Sequence, residues 1–141
     1  MSDTVPATSS FRLPLSQRVA LAIALAAGAV LRWINLDAES LWFDEGFTWF
    51  LATLAPSRMW ANLSCDVQTP GYFFVLHYWL KLFGDGAYAM RSFNALCSTL
   101  TLLLMLPIAW RVFGRTWAAV LVVAMVAFSP LQVIHAREAR Y

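Results

Sequence analysis

The sequence predicts an all-α integral membrane protein, and three observations predict it. Hydrophobic residues make up 60% of the chain and charged residues 13%, against about 25% charged in an ordinary soluble domain. The charges are clustered, leaving apolar runs of about 16 to 18 residues, near the length a helix needs to cross the hydrocarbon of a bilayer. A water-soluble fold of 141 residues has no single small core large enough to bury that much apolar surface. The expected architecture is about three transmembrane helices, with interfacial helices in the first outer loop.

The first element is a tail, residues 1–17, polar over Met1–Ser10 and expected to be disordered on the cytoplasmic side. Arg12 and Arg18 precede the first expected span, 19–34, with Arg32 expected to snorkel to the far interface. Ala24-Leu-Ala resembles a signal-cleavage site, but the apolar stretch before it is short and equally apolar spans follow, so a retained span is the better reading.

Residues 35–90 form the expected outer loop. It gathers Asp37, Glu39, Asp44, Glu45 and Asp66 with Trp42, Trp49 and Trp60, a mixture that suits a membrane–water interface. Within it, the run from Ser40 to Leu51 predicts a helix with Ser40 as N-cap. At 100° per residue, Phe43, Phe47, Phe50 and Leu54 share a stripe, with Asp44, Glu45 and Thr48 roughly opposite. Adjacent carboxylates diverge by about 100°, so Asp44 and Glu45 cannot both address one atom. The bland reading is a solvated first turn that the helix dipole favours. The sharper one is a carboxylate desolvated by its aromatic neighbours, with its basicity raised towards that of a general base. Pro70-Gly71 starts another helix; Tyr72–Phe83, about 12 residues, is too short for a full crossing and is expected to lie at the interface. His77 within it reads as a packed residue, with no neighbouring ligand at helical spacing for a metal.

Two more spans are expected at 91–111 and 117–134, joined by the basic turn Arg111–Arg115 with Gly114 as helix stop. Three crossings place Arg12, Arg18, Arg111 and Arg115 all on the cytoplasmic side, as the positive-inside rule prefers; a crossing at Tyr72–Phe83 would break that rule. The acidic loop and the segment His135–Tyr141 then share the outer side. If that segment is helical, Arg137 and Arg140 share a face and suit a phosphate; the bland reading is interfacial anchors paired with Glu138. A net charge of +2 gives no reason to expect nucleic acid as a partner, and Cys65 and Cys97 lie in unlike segments with no disulfide or metal pattern.

Several short motifs occur in order: Leu41-Trp-Phe-Asp-Glu-Gly, Thr69-Pro-Gly-Tyr-Phe-Phe-Val-Leu-His, Arg91-Ser-Phe-Asn-Ala-Leu, Val112-Phe-Gly-Arg, Ala127-Phe-Ser-Pro-Leu-Gln and Ala136-Arg-Glu-Ala-Arg-Tyr. Their series, over about residues 18–141, resembles the N-terminal part of a GT-C glycosyltransferase of the protein-mannosyltransferase and aminoarabinose-transferase-like group (family 39). The resemblance implies transfer of a sugar from a polyprenyl-phosphate carrier to a protein or lipid-glycan acceptor outside the cytoplasm, with inversion. It implies that Asp44 and Glu45 are the catalytic pair, with Asp44 as candidate base, and that Arg137, Glu138 and Arg140 lie near the lipid-linked phosphate. It further implies a multi-pass protein of the bacterial inner membrane with a cytoplasmic N-terminus. Whether Asp44 or Glu45 binds a divalent cation is left open. Members of the group are several times longer, so the chain is expected to be an N-terminal piece of such an enzyme and inactive alone. The rival reading is a small membrane scaffold or subunit; a transporter fragment is weaker, because no charge sits mid-span.

Overall fold

A computed structural model describes residues 13–64 and 69–139. Within them the chain forms helices and no strand: α1 (Leu15–Trp33), α2 (Phe43–Thr53), α3 (Pro56–Leu63), α4 (Pro70–Phe83), α5 (Ala87–Phe113), α6 (Trp117–Ala127) and α7 (Pro130–Arg137). The protein is thus an all-α membrane protein. Helices α1 and α5 are each long and apolar enough to cross a bilayer, and α6 with α7 makes a third span if the pair, bent by 44°, is counted as one. Helix α1 starts at Leu15, inside the segment read from sequence as tail.

Helices α1, α5 and α6 pack through Leu21, Leu102, Ala109, Ala119, Val123 and Ala127. Their outward faces carry exposed Ile23, Leu104, Leu121 and Met125, an apolar exterior suited to lipid tails. Gly28 lets α1 approach α6: a Cβ there would meet Ala127 Cβ and Leu102 Cδ2, each at 2.9 Å. One turn later comes Arg32, and here the snorkelling expectation fails. Arg32 is fully buried, because the third span is broken beside it.

The cause of the break is Pro130, which has no N–H to give the carbonyl of Val126 four residues earlier. Helix α6 stops at Ala127 and α7 restarts at Pro130, so the continuous span expected over 117–134 becomes two helices. The Arg32 guanidinium donates to Val126 O at 3.1 Å and Ala127 O at 3.0 Å. It also bonds Gly28 O at 2.8 Å and Ser98 Oγ at 2.9 Å.

Helix α4 lies against the first turns of α5, and α2 and α3 pack on α4. Ala52, Leu76, Leu80, Ala89, Met90 and Ala139 form one apolar cluster, and Leu51, Met59, Leu63 and Phe73 a second. Helix α4 has 14 residues, about 21 Å at 1.5 Å per residue and short of a 30 Å hydrocarbon core. It ends at Gly84, whose φ of +95° is open to glycine at no steric cost. The same device, Gly114 at φ +66°, ends α5. Helix α5 therefore serves both parts, with Ala89 and Met90 in the outer cluster and Leu102 and Ala109 in the membrane cluster. His77, buried on α4, bonds Ala52 O through Nδ1 at 2.7 Å. That carbonyl lacks a helical donor because residue 56 is proline.

Candidate active site

Helix α2 begins at Phe43, two residues later than an N-cap at Ser40 would place it. The backbone before it is used differently. Arg91, near the start of α5, donates from Nη1 to Leu36 O and Glu39 O, both at 2.8 Å, and from Nη2 to Ser40 O at 3.1 Å. Its remaining donors grip Glu45: Nε to Oε1 at 3.0 Å and Nη2 to Oε2 at 2.6 Å. A guanidinium has five N–H groups, and here each has an oxygen.

Glu45 is equally saturated. Besides Arg91, Oε2 accepts the Trp42 N–H at 3.2 Å and Oε1 accepts the Ala139 N–H at 2.8 Å. Burial pushes the Glu45 carboxyl up, but the Arg91 hydrogen bonds, the Ala139 and Trp42 N–H groups and the charge of Arg91 outweigh it and hold Glu45 below the ordinary glutamate value. The aromatic surroundings thus do not make this carboxylate basic. A cation at Glu45 would have to displace N–H donors from both oxygens, and among the described residues no group of three or more His, Cys, Asp or Glu could hold a metal ion.

The bond to Ala139 anchors a short strap. Helix α7 ends at Arg137, and Glu138 is extended at φ −109°, ψ 134°. Asn94 Nδ2 donates to Glu138 O at 2.6 Å, and the Tyr72 hydroxyl donates to Asn94 Oδ1 at 3.2 Å. Burial pushes the Tyr72 phenol up to about 12, which keeps it a donor. Helix α7 thus ends before 138, and the condition under which Arg137 and Arg140 would share a helical face is not met at 138–139. Arg140 itself lies outside the described residues, as do Arg12, Cys65 and Asp66.

These anchors enclose a cavity of about 180 Å³ walled by Asn35, Glu39, Trp42, Arg91, Ile134, Arg137 and Glu138. It offers carboxylates, an amide, a guanidinium and an indole, a set that suits a hydroxyl-rich ligand with an anionic group. A neighbouring open recess is lined by Glu39, Ser40, Leu41 and Trp42, the residues just before α2. Asp44 follows in the first turn of α2, exposed to solvent, while Glu45 and Thr48 face inward. Phe43, Phe47 and Phe50 are exposed, so the aromatic stripe faces outward as its periodicity required.

Of the sequence candidates, then, Arg137 and Glu138 line the cavity and Glu45 is bonded to Ala139 next to them, while Asp44 is exposed in the first turn of α2 and lines neither recess. Sequence reading missed Arg91, Asn35 and Glu39. Arg91 carried a usable signal, a cation at the mouth of an apolar run; Asn35 and Glu39 carried none.

Residues 65–139 match the profile of the dolichyl-phosphate-mannose-protein mannosyltransferase family. Comparison with curated proteins and with solved structures finds no match. The matched range contains Arg91 and Ala139, which bond Glu45 directly, and Asn94, which bonds the strap at Glu138 O. With more than half of the sequence covered, the chain belongs to the dolichyl-phosphate-mannose-protein mannosyltransferase family.

Proposed function

We propose that this site transfers a sugar from a polyprenyl-phosphate carrier to an acceptor hydroxyl of a protein or lipid glycan, on the outer side of a membrane whose inner side carries the N-terminus. The observation that carries the reading is the pair of bonds from Glu45 to Arg91 and Ala139. They hold the first turn of α2, and with it Asp44, against the strap that carries Arg137 and Glu138.

Asp44 is the candidate general base. It takes the acceptor's hydroxyl proton as that oxygen attacks the anomeric carbon. The carbon–oxygen bond to the phosphate breaks on the opposite face, and polyprenyl phosphate leaves with the bonding pair, inverting the centre. Arg137, with Arg140, would stabilise the charge that gathers on the departing phosphate. Glu39, Asn35 and Glu138 supply acceptors and a donor for sugar hydroxyls, with the Trp42 indole as an apolar wall. Glu45 holds the site together and touches no reacting atom.

The test is Asp44→Asn in the full-length context, in membranes, with labelled polyprenyl-phosphate mannose as donor and a serine- and threonine-bearing peptide as acceptor. General-base catalysis contributes about 10²–10⁴-fold, so transfer should fall at least a hundredfold with membrane insertion unchanged. Undiminished transfer by the variant sinks the assignment of Asp44.

A further inference from the structure

The break between α6 and α7 is held from a different helix. Val126 O and Ala127 O end α6 without helical partners, since Pro130 brings no N–H and the chain turns away at Phe128 and Ser129. Inside a bilayer no water is at hand to satisfy such carbonyls. Arg32 meets both, and every acceptor that bonds it among the described residues is a neutral oxygen: Val126 O, Ala127 O, Gly28 O and Ser98 Oγ. The last turn of α1 and the end of α6 present their negative dipole ends to one cation. Gly28 makes this geometry reachable, because a Cβ there would press into Ala127, whose carbonyl Arg32 holds.

We propose that Arg32 is a positioning residue: its guanidinium stands in for the missing Pro130 N–H, fixes the angle between α6 and α7, and so sets the strap at 137–139 that closes on Glu45. The course of α7 decides where Arg137 stands, and Ala139 follows it by two residues. A straight α6–α7 helix would carry Ala139 away from Glu45 and open the cavity. An arginine merely snorkelling would be exposed, and this one is 0% exposed. The consequence for sugar transfer rests on the functional reading above; the pinning of the break does not.

The experiment measures a distance across the site. Spin labels replace Phe50 on α2 and Leu131 on α7, both exposed, in a chain with Cys65 and Cys97 changed to serine and held in lipid nanodiscs. Double electron–electron resonance should give one narrow distance distribution for the parent. Arg32→Leu should broaden it. Adding Pro130→Ala to Arg32→Leu restores an N–H for Val126 O, so the distribution should narrow again but at a shifted distance, because the span straightens. If Arg32→Leu proves too unstable to insert, the double variant still decides: insertion restored with a shifted distance supports the proposal. A parent-like distribution from either variant overturns it. Transfer, measured for the same variants in the full-length context, should fall more than tenfold in both. The distance result stands apart from that assay, so failure of the functional reading and failure of the pin are told apart.

Discussion

Arg91 and Glu45 saturate one another: Nη2 lies 2.6 Å from Oε2, and every N–H of the one and both oxygens of the other are engaged. Their side chains are 5% and 1% exposed. The pair joins the 36–40 loop and α2 to α5 and the strap, 46 and 94 residues beyond Glu45, at one point of charge.

Removing one member strands the other. Arg91→Leu should destabilise the protein by about 3–5 kcal/mol, the range for breaking a buried pair from one side. Glu45→Gln keeps the shape and loses the charge, and should cost less. Chemical denaturation in detergent, followed by tryptophan fluorescence, measures both. An Arg91→Leu variant as stable as the parent would show that the pair is dispensable.

The same pair sets an acid limit. Glu45 in the folded protein lies below its ordinary value, about 4.3 for an unperturbed glutamate. A carboxylate depressed by folding contributes stability above the unfolded value and loses it as pH falls through the folded one. Stability should therefore decline below about pH 4.3, and Glu45→Gln should flatten that limb. A parallel decline in the variant assigns the acid sensitivity to other carboxylates.

At the α1–α6 crossing, Gly28→Ala places a methyl 2.9 Å from Ala127 Cβ and Leu102 Cδ2. Overpacking of this kind costs about 1–3 kcal/mol. Ala127→Gly removes one of the two obstacles, so Gly28→Ala/Ala127→Gly should recover part of the loss. Strict additivity of the two single changes, read from thermal midpoints in detergent, would deny the contact.

How much of this was legible beforehand follows from what each residue answers to. Hydropathy runs and the Gly114 stop depend on local chemistry, and α1, α5 and the basic turn were readable from them. So was the aromatic stripe of α2, whose periodicity is helical. The start of α2 was not, because Ser40 gives its carbonyl to Arg91, 51 residues away. Arg32 was misread for the same reason: two of its partners are carbonyls 94 and 95 residues distant. Pro130 was the available clue. A proline within an apolar run predicts a break, and a break in lipid needs a donor from elsewhere. Asp44 and Glu45 were separable by helix geometry in principle, but which one turned inward was settled by Arg91.

The spacing of the Glu45 partners has a consequence for the order of assembly. Its nearest donor in sequence is Trp42, but Arg91 is 46 residues later and Ala139 is 94 later. At about 5–20 residues per second of synthesis, Glu45 waits on the order of 5–20 s between leaving the ribosome and meeting its last partner. Through that interval the carboxylate needs water, which keeps the acidic segment out of the hydrocarbon while α5 is being inserted. Closure of the strap then follows insertion of α5, and the site comes into being only after the third apolar segment is in place.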